Sequence, residues 1–259
     1  MSICSYCQKD KKLTFEHLYS DAVLRAFDDV APLTIDPNRE KVYSADPGQN
    51  DLCGDCNSGL SPADSYMGQF AKSILTKSIV LGTRFTFDVA LTELWVLKTA
   101  ANLERSSNKN ALTPWWHGYR DYLRGLASKP ARADVFFAAW KDISPVAGIN
   151  PVTPLASHEA VILSEHLPAK LVNEKLERAW AMKIGHGVFT AVSWKEGQEI
   201  DAIRNPIKEE LKQWGWLTIG LDDLVTKIPF NMTTSACFQV ISNPQDPLAY
   251  KKVADIKRN

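Results

Sequence analysis

Two pairs of cysteines near the N-terminus constrain this chain more than any other feature of its sequence. Cys4 and Cys7 form one C-x2-C motif, and Cys53 and Cys56 form a second. Four thiolates in two such pairs have the spacing of a closed, four-coordinate structural zinc site. Such a site supplies folding free energy to a segment that is too small for a hydrophobic core of its own. The sequence therefore predicts structural Zn²⁺ bound by all four cysteines.

The remaining composition predicts a globular protein in a reducing compartment. Hydrophobic residues make up 45% and charged residues 23% of the 259 positions, which are ordinary proportions for a globular chain. The start, Met1-Ser2-Ile3-Cys4, lacks the basic and apolar stretches of a secretory signal. No apolar run approaches the length needed to cross a bilayer. We therefore expect a cytoplasmic protein without membrane association, in which paired cysteines bind metal rather than form disulfides.

Periodicity and turn signals predict helices in the first half of the chain. Ser61-Pro62 is typical of a helix start, and apolar residues at helical spacing continue this helix to about residue 75. The same spacing predicts helices from about Val89 to Arg105 and from about Trp115 to Leu126. Residues 31–51 contain three prolines, a glycine and several Asp and Asn residues, which predicts a loop.

Beyond residue 133, short β-like runs alternate with turn residues. One helix is expected among them, from Asn205 to Trp214 and beginning at Pro206. The expected fold is α+β, with a small N-terminal zinc-stabilised module (residues 1–70) followed by residues 71–259. The second part comprises a helical segment and a larger mixed α+β domain with an antiparallel sheet. The candidate strands are Asp134–Ala139, Ala160–Leu163, Trp180–Ile184, Val188–Trp194, Trp216–Ile219 and Phe238–Ile241.

A net charge of zero hides an uneven distribution of charge. Residues 1–60 hold six Lys and Arg against ten Asp and Glu, whereas residues 70–132 hold ten against four. A zinc module that bound nucleic acid unaided should be basic, and this one is acidic. If the partner is nucleic acid, we expect residues 70–132 to supply the phosphate contacts. A solvated helix surface is the alternative interpretation of that basic segment.

Glu16, His17 and Asn57 remain as candidates for chemistry. Glu16 and His17 end the run Thr14-Phe15-Glu16-His17 between the two cysteine motifs, and Asn57 directly follows the second motif. This order of residues resembles the HNH endonucleases, also called His-Me finger or ββα-metal nucleases. It is most similar to their zinc-knuckle branch, which includes recombination endonuclease VII. The resemblance is limited to about residues 1–70 and implies a ββα-metal fold for that part.

The resemblance also implies an activity, namely metal-dependent hydrolysis of phosphodiester bonds in nucleic acid, with DNA as the expected substrate. His17 would be the general base, because a neutral imidazole can accept a proton from water near neutral pH. Glu16 and Asn57 would hold one catalytic Mg²⁺ or Mn²⁺ through oxygen atoms. That ion would act as a Lewis acid on the scissile phosphate. Family analogy alone suggests phage defence or restriction as the setting.

Each of these residues also has a structural interpretation. A histidine in a small domain is often structural, Glu16 could pair with a lysine or cap a turn, and Asn57 could bond the local backbone. The alternative function is a non-catalytic, zinc-stabilised module that binds nucleic acid or protein. For residues 71–259 the sequence leaves substrate selection, sensing and assembly open, including a homo-oligomer or a protein partner.

Overall fold

The computed structural model describes eleven stretches of the chain, and within them helices and antiparallel sheets are both present, as the α+β prediction requires. None of the described helices combines the length and apolar character needed to cross a membrane. The described stretches are residues 2–27, 34–36, 41–43, 48–77, 79, 82–107, 118–139, 162–166, 176–195, 200–213 and 216–219.

Helices concentrate before residue 130 and the larger sheet after it. The chain begins with strand β1 (Leu13–His17), helix α1 (Asp21–Leu24), strands β2 (Thr34–Asp36), β3 (Lys41–Tyr43) and β4 (Gly48–Cys53), and helices α2 (Gly54–Ser58) and α3 (Ser61–Phe70). A 3-10 turn (Arg25–Phe27) extends α1, and a π-helical turn (Ala71–Leu75) extends α3. Then follow α4 (Val89–Ser107), α5 (Arg120–Leu123), β5 (Ala133–Ala139), β6 (Ile162–His166), β7 (Leu176–Ile184), β8 (Gly187–Trp194), α6 (Ile200–Gln213) and β9 (Trp216–Thr218).

An antiparallel pair, β1 with β4, brings the two cysteine motifs together. Leu13 lies opposite Cys53 and His17 lies opposite Gly48, with an irregularity in register between Thr14 and Phe15. The first motif precedes β1 and the second begins at the end of β4, so both meet at one end of this pair. At the other end, a Cβ atom added to Gly48 would lie 2.7 Å from the backbone carbonyl oxygen of Glu16 and 2.2 Å from Cζ of Phe15. Only glycine therefore fits opposite His17.

The larger sheet has five antiparallel strands in the order β6-β7-β8-β5-β9. Side chains of a strand alternate between its two faces, and β5 uses this alternation to contact helices on both sides. Phe137 joins an aromatic cluster with Phe70 of α3 and Phe189 of β8. On the opposite face, Asp134 pairs with Arg204 of α6 at 2.6 Å.

The hydrophobic core runs without interruption across the boundary predicted at residue 70. One cluster of buried residues includes Leu52 and Met67 from the first part and Trp95, Phe137 and Phe189 from the second. Trp95 of α4 also donates a hydrogen bond from its indole to Oγ of Ser20, at 3.0 Å. The division into residues 1–70 and 71–259 stays a prediction, but the two parts share their core.

Several element predictions differ from the structure. Residues 31–51 contain strands β2 and β3 and the first part of β4 instead of a loop only. Strands β2 and β3 pair with each other, and β1 offers backbone partners to β4, a segment that is poor in strand-forming residues. Helix α6 begins at Ile200, and Pro206 lies inside it rather than at its start. In the predicted helix from Trp115 to Leu126, the described part is helical only over Arg120–Leu123. The predicted strand Phe238–Ile241 lies outside the described residues.

Candidate functional site

The four cysteines of the two motifs form one compact cluster, as the sequence predicts. Their Sγ atoms all lie within 4.8 Å of one another, and those of Cys7 and Cys53 are 3.8 Å apart. A tetrahedral site with zinc–sulfur bonds of about 2.3 Å requires sulfur atoms about 3.8 Å apart. Cys4 and Cys53 are buried, and Cys7 and Cys56 are half-buried. The cluster could therefore hold a metal ion such as zinc.

Local electrostatics also suit a bound cation. Burial raises the pKa of Cys4, but backbone N–H groups of Cys53, Cys7 and Tyr6 outweigh it and lower the pKa to about 7. The Cys53 N–H lies 3.3 Å from Sγ of Cys4. At Cys56, burial, hydrogen bonding to Cys53 and the charge of Cys4 together raise the pKa. A second thiolate beside Cys4 is thus unfavourable, and a divalent cation removes this conflict because it pairs with both charges.

His17 ends strand β1 beside an exposed aromatic ring. Phe15 and His17 lie on the same face of the strand, and their rings meet edge to face with centroids 4.9 Å apart. The Phe15 side chain is 47% exposed, whereas His17 is half-buried. This edge-to-face contact restricts the rotation of the imidazole. The candidate base therefore lies half-buried at the end of β1, with its Nδ1 atom shielded from solvent.

Asn57 is fixed against the strand that carries His17. It belongs to α2, which follows directly from the second cysteine motif. Its Nδ2 donates to the carbonyl oxygen of Phe15 and to Oγ1 of Thr14, both at 3.2 Å. These bonds occupy the amide nitrogen and leave the amide oxygen as the atom with ligand character. The structure thus places Asn57 next to β1, where it contacts Phe15, the residue two positions before His17.

Glu16 lies apart from this face, because neighbouring residues of a strand point to opposite sides. The residue is 4% exposed, and its Oε1 lies 2.7 Å from Nζ of Lys98 and 3.2 Å from Nδ2 of Asn102. This arrangement matches the structural interpretation, in which Glu16 pairs with a lysine. Both contacts are made by Oε1 of this buried side chain, and the metal-ligand role of Glu16 stays a prediction.

Lys98 is a buried ammonium between two carboxylates. Only 1% of its side chain is exposed, and its Nζ contacts both carboxylate oxygens of Asp64 at 2.8 Å in addition to Glu16. Burial alone would lower the pKa of Lys98, but the charges of Asp64 and Glu16 raise it overall. The lysine therefore stays charged. Asp64, in the first turn of α3, thus has a specific partner.

Sequence reasoning missed a row of polar residues on α4 that faces the paired strands β1 and β4. This α4 polar row consists of Lys98, Asn102 and Arg105, whose spacings of four and three place them on one side of a helix. Arg105 donates from Nη2 to Oδ1 of Asn102 at 2.7 Å and from Nε to Oδ2 of Asp51 at 2.6 Å. Its guanidinium also lies 5.0 Å from the centre of the Tyr6 ring. A lysine inside an otherwise apolar stripe was the available signal.

Five of the ten cations of residues 70–132 form ion pairs within the described part of the molecule. Lys98 and Arg105 are buried in ion pairs with Glu16, Asp64 and Asp51. Arg124 pairs with Asp121, Lys129 with Glu93, and Arg132 with Glu177. These cations support the fold, which weakens the expectation that this segment supplies a broad surface for phosphates.

Comparisons with known proteins add no family assignment. No family model matches the chain, and neither curated proteins nor solved structures give a significant match. What the structure defines is a class of architecture, namely mixed helix and sheet with antiparallel sheets and a four-cysteine cluster near the N-terminus. The roles of Glu16, His17 and Asn57 stay predictions.

Proposed function

We propose that this protein is a metal-dependent endonuclease of the HNH type, which hydrolyses phosphodiester bonds of nucleic acid, with DNA as the expected substrate. The observation that carries this proposal is the anchoring of Asn57 on the main chain of Phe15, because it ties α2 to the strand that ends at His17. A paired β1 and β4, followed by α2 and joined by the cysteine cluster, agrees with the ββα-metal arrangement that the resemblance implies.

In the proposed reaction, the imidazole of His17 accepts a proton from a water molecule, which attacks the phosphorus atom. The bond from phosphorus to the 3′-oxygen breaks, leaving a 5′-phosphate and a 3′-hydroxyl that takes its proton from solvent. The Asn57 amide oxygen would hold Mg²⁺ or Mn²⁺, which prefer oxygen ligands. When bound, such an ion supplies positive charge that stabilises the phosphate and the departing oxygen. The cysteine cluster stays structural, since four sulfur ligands leave no open position.

Nicking of a supercoiled plasmid tests this function. We expect the wild-type protein to convert the plasmid to nicked and linear forms with Mg²⁺ or Mn²⁺. A brief treatment with excess EDTA should stop this conversion. Asn57→Ala should raise the Mg²⁺ concentration for half-maximal rate at least on the order of tenfold, because one metal ligand is lost. Asp55→Asn is the matched control, since Asp55 is an exposed carboxylate two residues away that pairs with Lys11.

Two results would contradict the proposal. The nuclease function is excluded if the wild-type protein leaves both DNA and RNA intact at high concentrations of protein and metal. The role of Asn57 as a metal ligand is excluded if Asn57→Ala shows the same Mg²⁺ dependence as Asp55→Asn.

A non-catalytic, zinc-stabilised binding module is the second candidate function. The ion pair of Glu16 with buried Lys98 favours it, because the acidic residue that the resemblance assigns to metal binding is neutralised inside the protein. This candidate predicts that the protein binds nucleic acid or a protein without cleaving nucleic acid. The plasmid assay therefore also separates the two candidates.

A further inference from the structure

Helix α4 reaches from outside the first seventy residues to the end of strand β1. Asn102 is fully buried, with 0% exposure. Its Nδ2 donates to the carbonyl oxygen of His17 at 3.1 Å, to Oε1 of Glu16 at 3.2 Å and, more weakly, to the carbonyl oxygen of Leu18 at 3.5 Å. One side-chain amide thus holds the main chain where it leaves the strand.

The orientation of this amide is itself fixed. Arg105 donates to Oδ1 of Asn102, and a guanidinium has only donors. The amide oxygen must therefore face Arg105 and the amide nitrogen must face β1. Arg105 is anchored in turn by Asp51 of β4, whose Oδ2 also accepts a hydrogen bond from Oγ of Ser5, beside Cys4. The α4 polar row consequently links the first cysteine motif, β4 and the end of β1.

We infer that Asn102 is a positioning residue for His17, an inference that rests on the proposed function. Its bond to the His17 carbonyl fixes the peptide plane between His17 and Leu18, and that plane sets the direction in which the imidazole leaves the backbone. Because Asn102 is buried, it has no contact with nucleic acid and acts on the reaction through the residues that it holds, His17 and Glu16. A displacement of a catalytic group by about 1 Å can reduce a rate on the order of 100-fold.

Asn102→Leu tests the inference, because leucine has a similar shape and carries no donor and no charge. We expect kcat for nucleic-acid cleavage to fall on the order of 100-fold while KM changes less than about twofold. The pH–rate profile and the imidazole NMR signals of His17, assigned through His17→Gln, should shift. Asn102→Gln keeps the amide and should recover part of kcat.

Thr99→Val is the matched control, since it also replaces a buried polar side chain of α4 with an apolar one of similar shape. The Thr99 hydroxyl donates to the Trp95 carbonyl within the helix. We expect kcat and the His17 signals of this variant to stay at wild-type values. If Asn102→Leu does not fold, Asn102→Ser, whose hydroxyl is too short to reach His17, replaces it in the same measurements.

The inference is overturned if kcat and the His17 signals of Asn102→Leu equal those of Thr99→Val. The NMR signals also separate two kinds of failure. A wild-type protein that cleaves no nucleic acid rejects the proposed function, whereas unchanged His17 signals in Asn102→Leu reject the positioning role whether or not cleavage occurs.

Discussion

Cys53→Ser is expected to release the bound metal and to unfold the part of the protein that carries His17. Cys53 is buried at the end of β4, and its backbone N–H and Sγ contact Cys4 and Cys7. Structural zinc in small modules contributes about 10–16 kcal/mol, as much as the whole stability of many domains, about 5–15 kcal/mol. Wild-type protein should contain about one equivalent of zinc, and Cys53→Ser a small fraction of it.

Metal analysis and thermal unfolding measure this effect together. We expect the melting temperature of Cys53→Ser to fall by more than about 10 °C. Cys237→Ser is the control, because Cys237 belongs to neither cysteine motif, and it should keep the wild-type zinc content. Zinc retained at one equivalent by Cys53→Ser, or a wild-type protein with less than about half an equivalent, would show that the cluster is not a structural zinc site.

Lys98→Met is expected to cause the second large loss of stability. The substitution leaves Glu16 and Asp64 as two carboxylates without their shared cation, while the methionine fills most of the space of the lysine stem. Removal of one partner from a buried ion pair destabilises a protein by about 3–5 kcal/mol. Urea unfolding of the wild type and the variant measures the difference in free energy of unfolding.

Two comparisons show whether the effect comes from the buried charges. Lys11→Met removes the cation of an exposed pair with Asp55 and should leave the urea midpoint unchanged, since surface pairs contribute little. Adding Glu16→Gln to Lys98→Met should restore part of the lost stability, because one uncompensated carboxylate disappears. A loss below about 1 kcal/mol in Lys98→Met, or no recovery in the double variant, would mean that Glu16 is not held by Lys98.

Glu16→Gln alone separates the two roles of this carboxylate. If Glu16 is only the partner of Lys98, Glu16→Gln should lower stability and leave the Mg²⁺ concentration needed for cleavage unchanged. If Glu16 is a metal ligand, Glu16→Gln should raise the Mg²⁺ concentration for half-maximal rate, as Asn57→Ala does.

The sequence predicts those features that depend on residues close together in the chain. Each C-x2-C motif places two thiolates locally, and two such motifs predict a shared metal site. The pairing of β1 with β4 then brings the two motifs together. Strands β5, β7 and β8 carry β-branched and aromatic runs and coincide with predicted strands to within a few residues. Helix α4 likewise follows from its apolar periodicity and differs from the prediction only at its last turn.

Features that depend on distant partners could not be predicted in the same way. Gly48 to Asp51 has turn-like composition, and it forms a strand because β1 supplies its hydrogen-bond partners. Lys98 lies inside an apolar stripe of α4, but the carboxylates that make its burial possible come from β1 and α3. Asn102 lies 86 positions from Glu16 in the chain, and nothing in the local sequence pairs them. Tertiary context decides such positions.

The central claim is that the paired strands β1 and β4, joined by the cysteine cluster, present His17 as a general base. It is tested by single-turnover cleavage of an oligonucleotide with zinc-loaded wild type, His17→Ala and Asp55→Asn. We expect the wild type and Asp55→Asn to cleave at the same rate in saturating Mg²⁺. His17→Ala should be slower by at least about 100-fold, with unchanged zinc content. Cleavage by His17→Ala at the wild-type rate, or no cleavage of DNA or RNA by any of the three proteins, would contradict the claim.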